Sequence, residues 1–363
     1  VFNGEIYNHL SLRDKVFRYT FQTQSDTETL LALYIEYGIS ALSMCDGMFA
    51  FAILDQKSNT LILGRDRAGK KPLYYFKDAD SMVFASELNT LSGCVNRLRV
   101  DEKEIYSDIR NGFFYHEKTP FQNVYEVSPG SILTVSITNL VIQKKSFFNI
   151  LDYYKKDKIS EFESAICLVD ECLHKSVKDR LLSSDLEVGA FLSGGIDSSL
   201  VVAVASQYVD KLKTFTVKFD GAFDESKLAR LTAEKFGTDH TEIHISMNLK
   251  DDIEKILWNY GEPFMDSSAV PSYYVSKEAK KHVSVVLNGD GADELFGGYR
   301  RYVPLANNWI GIAKHFSKFA NILPKANNKK SNLNYIYRLL KPVSYTHLRA
   351  HETDSYLVCR LLL

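Results

Sequence analysis

The sequence predicts an α/β protein in two parts: a β-rich first part with its own helix, and a second part built on parallel strands. One reason is length, since 363 residues suit about two domains at the usual ~100–200 residues each. Another is a series of short β-like runs between turn residues, at 47–55, 60–65, 73–76, 82–85 and 131–137, close enough to pair as an antiparallel meander. The third is a change of character from Lys155, where helical patterns near 161–180, 198–208 and 225–236 alternate with buried strands at 186–192 and 214–219. That alternation implies parallel strands joined by crossover helices.

The helix of the first part has both ends written in sequence. Ser25-Asp26-Thr27-Glu28 reads as a capping box, Leu30, Leu31 and Tyr34 form an apolar stripe, and Gly38 fits the C′ position, so the helix should run from about Asp26 to Tyr37. The boundary between the parts falls in the polar stretch 150–160, where Lys155, Lys156, Asp157 and Lys158 offer little to bury. This gives domains at 1–150 and 160–342.

Composition narrows the function classes. With 44 Lys+Arg against 45 Asp+Glu, no global positive field exists to collect nucleic acid or anionic lipid. The apolar runs 48–54 and 201–205 fall far short of the ~18–20 residues of a membrane helix, and no signal-peptide pattern opens the chain, so a soluble protein is expected. Cys45, Cys94, Cys167, Cys172 and Cys359 are odd in number and form no CxxC pair, which suits a reducing cytoplasm and not structural zinc. The opening Val1-Phe2-Asn3-Gly4-Glu5 reads as a chain entered inside a strand. Residues 343–363 depart abruptly from what precedes them; their codons resemble a transposase sequencing adapter, and they are left out of the fold reading.

Loops carry the chemistry. Phe191-Leu192-Ser193-Gly194-Gly195-Ile196-Asp197-Ser198-Ser199 follows an apolar strand and opens an apolar helix, the place where strand-turn-helix phosphate loops sit. Paired glycines let backbone N–H groups face an anion, Ser193 and Ser198 add hydroxyls, and the helix N-terminus adds partial positive charge. Asp197 suits Mg²⁺. A competing string from Gly64 to Lys71 matches GxxxxGK but carries Lys71 where the metal-binding hydroxyl belongs and runs into Pro72 and a β-like segment. It reads as a basic strand connection.

A second loop, Asn288-Gly289-Asp290-Gly291-Ala292-Asp293-Glu294, again follows an apolar strand and crowds three carboxylates into five positions. Such acids are costly unless a cation or donors offset them, which Mg²⁺ bound to a triphosphate would do. One of the acids could move a proton. Asp266-Ser267-Ser268 is a weaker third loop at the same sheet edge.

These strings in this order, with Asn3-Gly4-Glu5-Ile6-Tyr7-Asn8, Gly64-Arg65-Asp66 and Phe84-Ala85-Ser86-Glu87, resemble the glutamine-dependent asparagine synthetases over about residues 2–301. The resemblance implies an αββα-type, Ntn-hydrolase-like glutaminase (class II glutamine amidotransferase) domain joined to a parallel α/β ATP-pyrophosphatase domain. It implies that Asn3 and Gly4 form an oxyanion hole, that Glu5 and Asp26 hold the glutamine ammonium group, and that ammonia travels through an internal tunnel. In the second domain it implies ATP at Leu192, Ser193, Gly194, Gly195, Asp197, Ser198, Ser199, Val217, Asn288 and Gly289. Asp197 and Asp293 would hold Mg²⁺, and Asp290 would act in proton transfer. Aspartate would become a β-aspartyl-AMP that ammonia converts to asparagine, releasing AMP and pyrophosphate.

Departures from the family pattern belong to the expectation. The family's N-terminal cysteine nucleophile and an arginine for the glutamine carboxylate would lie upstream of Val1, so this stretch alone should not hydrolyse glutamine. Asp290 stands where many members carry Glu, and Asn288 where Ser is usual. Such members often accompany surface-polysaccharide synthesis, which makes a sugar acid the alternative acceptor. A glutamine- or nucleotide-binding module without turnover is a further alternative. A tRNA-thiolating enzyme would need a cysteine pair and a basic face that this sequence lacks. Partners are thus small molecules, with neither nucleic acid nor membrane; a homodimer is compatible.

Overall fold

The computed structural model describes residues 1–96, 98–219, 226–245, 249–266 and 268–299. The adapter-like segment lies outside them, as do Ser267 and the end of the 160–342 segment.

The first half alternates its side chains between two cores, and that alternation defines its layers. Strands β1 (Phe2–Ile6), β2 (Gly47–Asp55), β3 (Thr60–Arg65), β7 (Ser131–Ser136) and β8 (Ile142–Ser146) form an antiparallel sheet in that order; β5 (Met82–Ala85), β4 (Tyr74–Lys77) and β6 (Val124–Glu126) form a second. Phe49, Phe51, Ile62 and Ile132 point from the first sheet to a core shared with α1 (His9–Arg13) and α2 (Asp26–Tyr37). Their neighbours Ala50, Ala52, Leu63 and Leu133 point the other way, where they meet Tyr75 of β4 and Tyr125 of β6. Tyr74, Phe76 and Val124 leave the far face of the second sheet to pack on Leu88 and Leu91 of α3 (Leu88–Cys94). Period-two burial on both sheets thus produces helix, sheet, sheet, helix.

The expected meander is corrected here. Runs 47–55 and 60–65 pair, but 74–77 and 82–85 leave to build the second sheet, and 131–136 returns beside β3. Buried faces on both sides of β2 and β3 demand a second sheet above them, which one meander cannot supply. The helix at 26–37 forms as expected, with Gly38 at φ 61° after it. Its capping box does not close. The Ser25 side chain accepts from Thr27 N–H, but Ser25 N–H goes to Thr23 Oγ1, and Glu28 instead gathers Gln22 N–H, Thr23 N–H, Thr23 Oγ1 and Tyr19 Oη. Four donors hold its pKa down at about 2. After α3 comes α4 (Glu102–Asn111), capped by the Asp101 side chain and ended by Gly112 in the left-handed region.

The second half is a parallel sheet ordered β11 (Asp239–Ile245), β10 (Lys213–Phe219), β9 (Val188–Phe191), β12 (Val285–Leu287). Helices α5 (Phe162–Leu182), α6 (Ile196–Ala205) and α7 (Ser226–Phe236) contribute Val177, Val202, Ala229 and Ala233 to one face. Of α8 (Leu249–Tyr260) and α9 (Ala269–Ala279), the latter packs Tyr274 on Phe215, Ile243 and Ile245 of the other face. Chain order runs outward from β9 to β11 and then returns to β12 on the opposite side of β9, so the order in which strands are added reverses between the parallel neighbours β9 and β12. Ligands of open parallel sheets bind beyond the carboxyl ends at such a reversal. A last short helix, α10 (Ala292–Phe296), follows β12.

The two halves touch. Asn89 Nδ2 of α3 donates to the Trp258 carbonyl of α8, and the Arg180 guanidinium near the end of α5 lies 4.4 Å from the centre of the Tyr7 ring.

Candidate functional site

Two groups of residues come together, one along edge strand β1 and one beyond the carboxyl ends of β9 and β12. In the first half, β1 carries Asn3, Gly4 and Glu5 on the edge of its sheet, paired with Ala50, Phe49 and Met48 of β2. A Cβ at Gly4 would overlap the Met48 carbonyl oxygen, and its φ of +148° is one that side-chain-bearing residues rarely adopt, so glycine is required. Asn3 is exposed, its Nδ2 donating to Ser86 Oγ at 3.1 Å. Ser86 lies in a motif noted in the sequence without a role. Asp26, at the first turn of α2, accepts Ile6 N–H on Oδ2 at 2.9 Å, which ties α2 to the end of β1. Burial first, then Asp26 and Asp185, raise the Glu5 pKa, while Lys71 lowers it. A concentration of carboxylates beside a half-buried acid suits an ammonium group.

The loop from Gly64 to Lys71 links strand to strand, β3 to β4, and is no phosphate loop. Arg65 is buried and donates Nε to Lys71 O, Nη1 to Val127 O and Nη2 to Gly69 O, each at 2.7 Å, besides pairing with Glu126 at 3.0 Å. Buried Asp66 accepts the N–H groups of Phe49, Ala68, Lys70 and Lys71. This network fixes Lys71 where it feels Glu5 and Asp66, and burial lowers its pKa against both. Sequence reasoning missed Lys70 and Lys71 as site residues, because their relevance comes from where Asp66 holds the loop.

In the second half, the loop after β9 and the loop after β12 meet at the sheet's reversal. Gly194 turns at φ +80°, Gly195 caps α6, and Ser193 N–H donates to Ser198 Oγ at 3.2 Å while the two hydroxyls lie 3.0 Å apart. Ser193, Gly195 and Asp197 remain exposed, with Ser199 half-buried against Thr232. A Cβ on Gly289 would come within 2.9 Å of Ser198 N and 3.0 Å of Asp197, so the two loops touch backbone to backbone. Asn288 and Asp290 bond reciprocally, Nδ2 to Oδ2 at 2.9 Å and Asp290 N–H to Oδ1 at 3.2 Å. Asp290 keeps solvent-accessible surface, yet protein crowds its carboxylate; that desolvation and then Glu294 raise its pKa, and Lys70 of the first half lowers it.

Two expected nucleotide residues sit differently. Leu192 is fully buried on the α6 face, its N–H donating to Phe215 O and its carbonyl accepting from Thr216 Oγ1, while half-buried Val217 belongs to the opposite face. Asp293, in the first turn of α10, is half-buried. Among the described residues no cluster of three or more His, Cys, Asp or Glu side chains could hold a metal by itself. The residues do fit Mg²⁺ delivered with phosphates, which needs only one or two protein carboxylates, and exposed Asp197 beside the glycine turn is placed to be one. In the third loop, Asp266 accepts Ser268 N–H at 2.8 Å and Ser268 Oγ.

A parallel sheet with a glycine-serine turn at its reversal defines a nucleotide-phosphate type of α/β protein, here attached to a double-sheet αββα half. Comparison with known proteins agrees. Residues 168–356, more than half of the chain, match the asparagine synthase family model, and residues 1–148 match the glutamine amidotransferase domain. The chain belongs to the asparagine synthase family. It is 38% identical over 347 residues to asparagine synthetase [glutamine-hydrolyzing] 1 of Bacillus subtilis, covering 92% of this chain and 54% of that protein. It is 29% identical to asparagine synthetase 2 of the same organism (97% and 50%) and 32% identical to asparagine synthetase 3 of Arabidopsis thaliana (82% and 48%). The chain thus spans about half the length of these relatives.

Proposed function

We propose that the protein containing this chain makes asparagine from aspartate with ATP, drawing ammonia from glutamine. The observation that carries this is the contact of the Ser193–Ser199 turn with the Asn288–Asp290 turn at the reversal of the parallel sheet, where Gly289 leaves no room for a Cβ. ATP lies with its phosphates over the exposed turn at Ser193, Gly195 and Asp197, backed by Gly194, half-buried Ser199 and buried Ser198, and Asp197 and Asp293 would hold Mg²⁺. Asn288 and Gly289 border the nucleotide, as does half-buried Val217, while fully buried Leu192 supports the turn from the core. A carboxylate oxygen of aspartate attacks the α-phosphorus and pyrophosphate leaves; ammonia then attacks the acyl carbon and AMP leaves. Asp290, whose crowding and Glu294 neighbour raise its pKa and so make its carboxylate more basic, takes in its ionised form the proton shed by the attacking nitrogen.

In the other half, Asn3 and Gly4 stabilise the oxyanion formed as glutamine is opened, while Glu5 and Asp26 bind its ammonium group. Residues 1–150 and 160–342 act as the glutaminase and pyrophosphatase domains. The scattered cysteines, of which Cys45, Cys94, Cys167 and Cys172 are free, support a cytoplasmic setting, and its partners are small molecules. The second reading, a sugar acid as acceptor, is favoured by the short Asp290 side chain, which Asn288 holds back on its own loop.

The test is pyrophosphate release by the full-length protein with ATP, Mg²⁺ and glutamine, with and without aspartate. Release that depends on aspartate supports asparagine synthesis. Release absent or indifferent to aspartate shifts the assignment to another acceptor or to a binding module.

A further inference from the structure

At the seam between the halves lies a cavity of about 200 Å³, walled by α4 and the segment after it, by β4 and β6, and by Glu262, Pro263 and Phe264 after α8. Arg65 and Glu126, which anchor the Gly64–Lys71 loop, line it, but none of Asn3, Gly4, Glu5, Asp26 or the residues of the two turns after β9 and β12 does. Asp108 of α4 lines this cavity at 1% exposure, and its Oδ2 has no hydrogen-bond partner. A carboxylate so placed is costly to bury alone. The other charged or titratable groups on the described walls are Arg65, Tyr74, His116, Lys118, Glu126 and Glu262, so carboxylates outnumber permanent cations by three to two. The two cations are already engaged: Arg65 donates to three carbonyls and pairs with Glu126, and Lys118 pairs with Glu104 at 3.8 Å. Phe113, Phe114 and Phe264 supply aromatic surface, which attracts organic cations.

We propose that this seam cavity binds a small organic cation, a primary ammonium group on an apolar or planar body, with Asp108 as its counter-ion. The site stands apart from the proposed synthetase reaction and does not depend on it. The ammonium replaces the missing hydrogen-bond partner of Asp108, and the body displaces water from the phenylalanines.

Benzylammonium is a suitable probe, and benzyl alcohol keeps its shape without its charge. Titrated calorimetrically into the 363-residue chain at pH 8, benzylammonium should bind at one site at least tenfold more tightly than the alcohol. In the unmodified chain that preference should weaken about tenfold between pH 8 and pH 5, because the Asp108 carboxyl titrates at about 6 and only its ionised form attracts the ligand. His116→Gln should retain this pH dependence, which separates it from imidazole protonation. Asp108→Asn should erase the preference, and Lys118→Gln should leave it intact or strengthen it. Equal binding of the two probes, binding of neither up to tens of millimolar, or a folded Asp108→Asn chain that keeps the preference overturns the proposal. If Asp108→Asn misfolds, the pH series on the unmodified chain decides alone.

Discussion

Two carboxyl groups, Asp290 and Asp108, are displaced in the same direction for related reasons, and each yields a prediction. Crowding and Glu294 raise Asp290, so its basic form is gained only as pH rises past its elevated pKa. Synthetase turnover in the full-length protein should therefore climb with pH through that region, and Asp290→Asn should lower kcat by 10²-fold or more and flatten the climb, as loss of a proton-transfer group does. Asp290→Glu, closer to the commoner family residue, should retain activity. Asp108 is raised to about 6 by desolvation. The folded chain therefore holds that proton more tightly than the unfolded chain, and the penalty for ionised Asp108 is present above pH 6 and relieved as pH falls from 6 toward 4. Asp108→Asn should thus stabilise the chain by about 1–3 kcal/mol at pH 8 and by little near pH 4, read from denaturant midpoints. Asp290 was legible in the sequence because its neighbours in the chain are glycines and acids. Asp108 was not, because its isolation depends on Glu262–Phe264, more than a hundred residues away.

At the scale of elements, the sequence shows which segments form but not always what they pair with. The runs 47–55, 60–65 and 82–85 coincide with β2, β3 and β5, since alternation and turn residues are local properties. Sheet membership is not local: β4 leaves β3 because β2 and β3 bury both faces. The capping box fails for a similar reason, as Thr23 Oγ1 reaches Ser25 N–H before Glu28 can. The glycine turn after β9 was legible because strand, paired glycines, serines and helix lie in one string. Its contact with the loop after β12 was not, and it carries a prediction. Gly289→Ala places a Cβ within 3.0 Å of backbone at Asp197 and Ser198, atoms that cannot turn aside. It should cost about 1–3 kcal/mol of stability by overpacking and weaken ATP binding tenfold or more by parting the loops, measured by chemical denaturation and calorimetry.

Across the whole molecule, the halves are joined by specific contacts that composition and motifs did not reveal. Asn89 to Trp258, and Arg180 over Tyr7, connect the first half with the two helices that flank the parallel sheet. Lys70, held by the Asp66 network, brings charge from the first half to Asp290 in the second. Asn89→Ala should cost about 1 kcal/mol and quicken amide exchange in α3 and at the end of α8 together, since one hydrogen bond serves both. The central claim, that the turns after β9 and β12 form one nucleotide site, is tested most directly by hydrogen exchange on the chain with and without ATP and Mg²⁺. Simultaneous protection of 192–199 and 287–294, with 64–71 unchanged, is the predicted result. Protection of neither turn, or protection confined to 64–71, contradicts it.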